Sequence, residues 1–387
     1  MSGLQCCRNI SRRELLGGSC LVACAALAWP FVPVVDAAAL DRPSKSVEDL
    51  YYSRLPGNRT QCHLCPRQRV LEDGQTCFCR TRTNRGGTLY NTAYNNPCAL
   101  HIDPLEKAPL YHVVPGSKTL ALALAGCNLR CLYCQNWEIS QKTPSETKNL
   151  YMTPSDVVKG ALEKGCRFIS FSYTEPAAYF RYVTDVAVEA KRCGIVTTVS
   201  TASFMNPDPI REWCKTVDIF CVALKGSTEE FYQRVCGASM APVLRAMEVI
   251  REEGKWLEIA TLVVPTINDD IPSFRDVSSW ICKNLGSDVP LHFVRFSPAY
   301  KLRNLPPTPV KTLDTARAVA RETGLKYVYV ENLPAHEGNS TYCASCLAPI
   351  IKRVGFEVIE NAVVGGKCRF CGTTIPGIWS FPVRAKA

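Results

Sequence analysis

Cys127-Asn128-Leu129-Arg130-Cys131-Leu132-Tyr133-Cys134 is the stretch whose reading decides the fold. Three thiolates this close can hold three of the four irons of a [4Fe–4S] cluster, and the fourth iron stays open for chemistry. An electron-transfer ferredoxin places a thiolate on every iron, so a CxxxCxxC loop with no nearby fourth Cys points to a cluster that binds something else. A zinc knuckle is the alternative that spacing alone leaves. The β-like run Thr119–Ala125 feeds directly into the loop.

From Ser117 onward, short β-branched or apolar runs alternate with stretches at helical spacing. The strand candidates are Thr119–Ala125, Arg167–Ser172, Ile195–Ser200, Asp218–Leu224, Leu257–Val264, Leu291–Phe296 and Lys326–Val330. Pro154–Lys164, Ala177–Arg192 and Thr308–Thr323 read as helices between them. Right-handed crossovers of this kind build a parallel sheet. The expected fold is therefore α/β, a partial (β/α)6 TIM-like barrel with its site on the loops at the strand C-terminal ends.

The chain resembles the radical S-adenosylmethionine (SAM) superfamily through CxxxCxxC with an aromatic residue, Tyr133, before the last Cys. The resemblance implies that Cys127, Cys131 and Cys134 ligate the cluster. The open iron would chelate the methionine moiety of SAM, and one electron would cleave the sulfonium to a 5′-deoxyadenosyl radical that abstracts hydrogen. Ser172-Tyr173-Thr174-Glu175-Pro176 resembles the Gly-Gly-Glu-Pro-like segment of glycyl-radical-activating enzymes, with Glu175 as the matching carboxylate. Ala223-Leu224-Lys225 stands where those enzymes have Asp-Leu-Lys, and Thr201-Ala202-Ser203 where they have an Asn-Gly turn. Both departures remove polar side chains; Ser200 or Thr201 is the expected replacement. Tyr133, Thr174, Glu175, Ser200 and Lys225 are thus the expected SAM contacts, and Glu175, Lys225 and His336 the expected catalytic groups. Tyr173 and Arg295 join them by rim position.

A longer resemblance, from about Cys62 to Trp379, is to the AmmeMemoRadiSam-system radical SAM enzymes. It is carried by Asn96-Pro97-Cys98-Ala99-Leu100-His101, by Gly126 through Gln141 with Gln135-Asn136-Trp137-Glu138-Ile139-Ser140, by Pro290-Leu291-His292-Phe293-Val294-Arg295-Phe296 and by Pro306-Pro307-Thr308-Pro309. Its relatives resemble pyruvate formate-lyase activating enzymes. The resemblance implies AMMECR-type and Memo-type protein partners and a reductase or flavodoxin-like electron donor; it leaves the substrate unidentified, with a protein or a small molecule as the alternatives. A noncatalytic iron–sulfur or zinc scaffold is the rival reading, favoured by the Ala223 and Ala202 departures.

The 22 Cys cluster in short pairs, which favours metal over disulfides. Cys343, Cys346, Cys368 and Cys371 form a zinc-ribbon-like set, for zinc or an auxiliary cluster, in a tail spanning 331–387. Residues 46–116 read as a turn-rich lobe. There the relatives carry CxxCPxxC, whereas this chain has Cys62-x-x-Cys65-Pro66 with Arg69 at the third position. Cys62, Cys65, Cys77 and Cys79 would complete a second site; unliganded thiols or a disulfide are the alternatives. The radical SAM core is expected over 117–330. Of the five His, His63 is an alternative ligand, His292 reads as a satisfied core residue, and His336 follows the last strand near the mouth.

With 387 residues, 47% of them apolar, the chain can bury one large core and is not disordered. A net charge of +10 is spread through the sequence without a basic face interleaved with aromatic residues, so no nucleic-acid partner is expected. Ser11-Arg12-Arg13-Glu14-Leu15-Leu16, the apolar run to Val35 and Val35-Asp36-Ala37 make residues 1–45 resemble a bacterial twin-arginine export signal or an uncleaved membrane anchor. Leu21-Val22-Ala23-Cys24 is similar to a lipoprotein box, but the apolar residues after it argue against lipidation. An outward-pointing leader conflicts with the cytosolic supply of SAM and low-potential electrons.

Overall fold

The computed structural model describes residues 46–381. The leader, and with it the export and anchoring expectations, lies outside them. Among the described residues no helix is long and apolar enough to cross a membrane.

All seven expected strands form, and they lie side by side in chain order: β2 (Lys118–Leu124), β3 (Phe168–Phe171), β4 (Val196–Thr201), β5 (Ile219–Ala223), β6 (Trp256–Val263), β7 (Leu291–Arg295) and β8 (Val328–Glu331). Each pair is parallel. The sheet thus has seven parallel strands, in keeping with six strand–helix units and a closing strand. An eighth, β1 (Pro97–Pro104), pairs antiparallel with β2 and covers that edge. Residues 97–104 had read as part of the turn-rich lobe, because Pro97, Asp103 and Pro104 mask an otherwise apolar run.

Crossover helices α1 (Pro154–Glu163), α2 (Phe180–Arg192), α3 (Pro207–Thr216), α4 (Ala241–Glu252), α5 (Ile271–Asn284) and α6 (Val310–Glu322) fill the six gaps from β2 to β8. Their starts were legible. Thr153 and Asp156 form a reciprocal capping box before α1, and Asp270 accepts from Ser273 N–H at the start of α5. Phe220, Val222, Leu257 and Ile259 face these helices in the main core. The alternate residues Ile219 and Cys221, with Phe168 and Val196 from the starts of their strands, turn to the inner face. There they meet Leu105, Leu110 and Val113 of the β1–β2 connection and Ile378 near the C-terminus. The inner face is therefore plugged at the strand N-terminal ends. Toward the C-terminal ends Ser200, Ala223, Leu262 and Val294 are only half-buried.

The plug is tied down by a charged network. Glu258 on β6 accepts from the backbone N–H groups of Tyr111 and His112, both at 2.9 Å, and from Trp256 Nε1 at 3.0 Å. His292 lies between Glu258 (3.0 Å) and Glu331 (2.7 Å), all three buried. It is a satisfied core residue, as its place on a strand implied. Burial opposes its charge, but the two carboxylates win and raise its pKa to about 9. Arg353, from the C-terminal lobe, donates to Tyr111 O at 2.7 Å and stacks on the Tyr111 ring.

Two small sheets make up the N-terminal lobe, one with Tyr52–Leu55, Arg59–Cys62 and Val70–Leu71, the other with Val47–Glu48, Arg82–Arg85 and Thr88–Asn91. In the C-terminal lobe a hairpin forms from Pro349–Val354 and Glu357–Asn361.

A folded-state pKa above the ordinary histidine value means that protonated His292 stabilises the fold fully below about pH 6.5 and that this support is lost as pH rises through 9. The thermal midpoint should fall over that window. Glu331→Gln removes one of the two stabilising carboxylates and should shift the fall to lower pH, which thermal melts at stepped pH will read.

Candidate functional site

The Cys127–Cys134 loop leaves β2 through Gly126, whose φ is +95°. A Cβ there would sit 2.5 Å from Cys79 O and 2.6 Å from Thr81 Cγ2, so only glycine lets the N-terminal lobe close on the loop. Cys127 N–H donates to Cys79 O at 3.2 Å. The rest of the loop is pinned from several sides. Arg130 N–H reaches Cys236 O at 2.8 Å, Leu132 N–H reaches Val235 O at 2.9 Å, and Asn128 Nδ2 donates to Phe204 O at 2.8 Å. Phe78 lies between the guanidinium groups of Arg67 and Arg130, each 3.7 Å from the ring centre.

The loops after β3 and β4 meet beside it. Glu175, buried, accepts from Thr201 Oγ1, from Ala202 N–H at 2.8 Å and from Ala177 N–H at 3.2 Å. Burial pushes its pKa up; these three donors and Lys225 oppose the rise. Thr201 and Ala202, the departures from the Asn-Gly pattern, are therefore what hold the carboxylate. Tyr173 and Ser203 take left-handed φ values of +66° and +52°, so both loops carry strained turns next to Glu175. Thr174 Oγ1 donates to Leu124 O at 2.7 Å and fastens the β3 loop to β2.

Lys225 follows β5. Burial disfavours its charge, yet its pKa is raised, through the charges that Cys131, Cys236, Cys134 and Glu175 carry when ionised. Cys127 is pushed well above the ordinary thiol range by burial, then by Glu175 and Cys131. Burial likewise raises Cys134, whose Sγ lies 3.2 Å from Ser140 Oγ. Cys131 moves the other way, to about 7, chiefly through a hydrogen bond from the Cys236 thiol.

Not every expected residue joins this group. Tyr133 is buried, with its hydroxyl 3.6 Å from Cys236 Sγ, so it fixes the back of the loop. Ser200 donates to Ala108 O at 3.4 Å on the inner face, and Thr201 is the one that meets Glu175. His336 accepts from Gly338 N–H at Nδ1 and contacts Asp314 on α6 at 3.0 Å through Nε2. The structure ties it to α6 instead of the cluster loop. Arg295 donates to Thr308 O, and Tyr173 donates to Asp103. Cys236 was missed, since Val235-Cys236-Gly237 has no ligand spacing to mark it.

The sequence pattern of the radical SAM superfamily matches residues 123–276, the span that builds this site. The uncharacterized protein MJ0808 of Methanocaldococcus jannaschii is 40% identical over 330 residues, covering 85% of this chain and 98% of that protein. The chain belongs to the radical SAM superfamily. This radical SAM chain is also 23% identical over 220 residues to the pyruvate formate-lyase 1-activating enzyme of Escherichia coli K12, across 53% of this chain and 89% of that enzyme. A radical SAM methyltransferase from Sphaerobacter thermophilus superposes with a TM-score of 0.45 at 13% identity, over 59% of this chain and 70% of that one.

Membership implies a [4Fe–4S] cluster and SAM, and the residues fit both. Three thiols on one loop, Cys131 buried and Cys127 and Cys134 half-buried, need countercharge to ionise together, which ligated iron supplies and which Lys225 alone does not. Beside them stands a buried carboxylate with spare acceptor capacity.

The C-terminal thiols form a tighter set. Cys343 and Cys371 are 3.6 Å apart at sulfur, Cys346 and Cys368 3.8 Å, and all four sulfurs lie within 4.8 Å of one another. Zn–S bonds of about 2.3 Å in a tetrahedron give sulfur separations of about 3.8 Å. The geometry suits one tetrahedral ion.

Two outcomes follow from these contacts. Gly126→Ala should cost about 1–3 kcal/mol or more and loosen the N-terminal lobe, read as a lower urea midpoint with faster proteolysis in 60–90. A strong chelator should speed hydrogen exchange across 341–375 while leaving β3 to β7 protected, read by exchange mass spectrometry.

Proposed function

We propose that this superfamily member is an activating-enzyme-like radical SAM enzyme of the AmmeMemoRadiSam kind, which cleaves SAM reductively and takes a hydrogen atom from a protein substrate. The observation that carries the reading is the convergence of Glu175, Thr201, Ala202 and Lys225 on the CxxxCxxC loop. When bound, the cluster supplies one electron to the sulfonium of SAM, yielding methionine and an adenosyl fragment that ends as 5′-deoxyadenosine after taking hydrogen.

What the chain contributes is placement. An ionised carboxylate offers about four acceptor positions. Thr201, Ala202 and Ala177 occupy three on Glu175, which leaves one to accept from a cationic amino group such as that of SAM. Lys225 offers an ammonium for the SAM carboxylate. Cys127, Cys131 and Cys134 fix the metal end, and Asn136 Nδ2, donating to Tyr173 O at 2.7 Å, couples that loop to the one bearing Glu175.

A protein substrate is supported by the likeness to pyruvate formate-lyase activating enzymes and by the half-buried inner face at the strand C-terminal ends, where a target loop could enter. AMMECR-type and Memo-type proteins are the proposed partners. A flavodoxin-like protein or a reductase is the proposed electron donor.

The test is anaerobic. Residues 46–387, reconstituted with iron and sulfide and given dithionite and SAM, should release 5′-deoxyadenosine, and Cys127/Cys131/Cys134→Ala should abolish it. Glu175→Gln should reduce SAM affinity or turnover about ten- to a hundredfold, the worth of a hydrogen bond to a charged group. A formed cluster with no cleavage would sink the reading in favour of a scaffold.

A further inference from the structure

Free thiols outside the cluster loop have different neighbours. Cys62, Cys65, Cys77 and Cys79 line one small cavity of the N-terminal lobe, where Arg82 donates to Cys62 Sγ at 2.8 Å and Thr81 Oγ1 donates to Cys79 Sγ at 3.3 Å. Cys236 instead reaches the cluster loop, where its thiol donates a hydrogen bond to Cys131 Sγ. It is fully buried, so water does not compete for that proton.

The contact is set in register by the main chain. Arg130 and Leu132, the two neighbours of Cys131, donate to Cys236 O at 2.8 Å and to Val235 O at 2.9 Å. Val235 and Cys236 close a π-helical turn, Tyr232–Cys236, after which Gly237 takes a left-handed φ of +61°. A Cβ on Gly237 would lie 3.3 Å from Arg130 Cβ, so the glycine lets the two segments approach. The same turn holds the other side of the site, since the Tyr232 hydroxyl accepts from Lys225 N–H at 3.0 Å. Single π turns are rare and recur at functional sites.

Each of the three loop sulfurs has a partner, but the partners differ in kind. Leu129 N–H donates to Cys127 Sγ at 3.3 Å, and Ser140 Oγ lies 3.2 Å from Cys134 Sγ. Cys131 is addressed by the Cys236 thiol and by the Tyr133 hydroxyl, which is also 3.6 Å from Cys236 Sγ. A thiolate bound to iron keeps lone pairs, so it still accepts such bonds. They spread its negative charge and thereby favour the cluster state that carries one more electron.

We infer that Cys236 tunes the cluster: through its hydrogen bond to Cys131 it raises the reduction potential, so that a weaker electron donor can charge the site. The inference rests on the cluster reading of the Cys127–Cys134 loop and not on the identity of the substrate.

The test is a redox titration of the reconstituted full chain, read by EPR of the reduced cluster. Cys236→Ala should keep the wild-type iron and acid-labile sulfide while its midpoint potential moves to more negative values. Cys236→Ser, which restores a donor, should fall between the two, and Tyr133→Phe should move the potential the same way by less. Proton ENDOR in deuterated against ordinary water should show one exchangeable coupling lost in Cys236→Ala. A full cluster with an unmoved potential in that variant would overturn the inference. So would a folded Cys236→Ala chain without iron, since Cys236 would then be a ligand. If Cys236→Ala does not fold, Cys236→Ser and Tyr133→Phe decide by the same shift. Wild-type protein that assembles no cluster on this loop would overturn the cofactor reading itself, so the two failures are told apart.

Discussion

Placing several thiolates in a protein interior is an electrostatic problem before it is a catalytic one. Burial alone pushes Cys127 and Cys134 toward the neutral thiol, and a single ammonium, that of Lys225, stands close by. Ligated iron resolves the conflict by supplying the missing positive charge. The rest of the site can then be understood as the means of holding the loop still while that charge is present. Backbone donors from Arg130 and Leu132 tie it to Cys236 and Val235, Asn128 ties it to Phe204, and the N-terminal lobe caps it through a contact that a single Cβ at Gly126 would forbid.

The same logic explains why the two ends of the sheet differ. At the strand N-terminal ends the inner face is plugged by the β1–β2 connection, and Glu258, itself paired through His292 with Glu331, binds the backbone of that plug. Arg353 extends the network to the C-terminal lobe, which makes that lobe a part of the base. Near the opposite ends of the strands stand Ser200, Ala223 and Leu262, small or apolar residues that are only half-buried. Rigidity at one end and space at the other let Glu175 and Lys225 be held while a ligand enters.

Much of this was legible because it follows local rules. The seven parallel strands alternate with helices at regular spacing, and helix starts are marked by Thr153 and Asp270. The cluster loop is marked by its own Cys spacing. What was hidden depends on contacts between distant segments. β1 reads as a loop because prolines flank it, yet it pairs along β2. Cys236 lies about a hundred residues beyond Cys131 and carries no spacing signal, yet its thiol is what lowers Cys131. Position on the rim was a poor guide for His336, since a loop after the last strand can fold outward as easily as inward, and here Asp314 draws it to α6.

The departures from the activating-enzyme pattern carry the most physical content. Losing an Asn-Gly turn after β4 looked like the loss of a SAM contact. Thr201 and Ala202 instead turn their donors on Glu175, so the polar function has moved from the ligand to the residue that would meet the ligand. A carboxylate held by three donors has less freedom to reorient. Ala223 stands where the activating-enzyme pattern has an Asp, which takes a negative group away from Lys225, and among the described residues no ion pair claims its ammonium. Both changes trade flexibility for a preset geometry, which is why the substitutions are compatible with a working site.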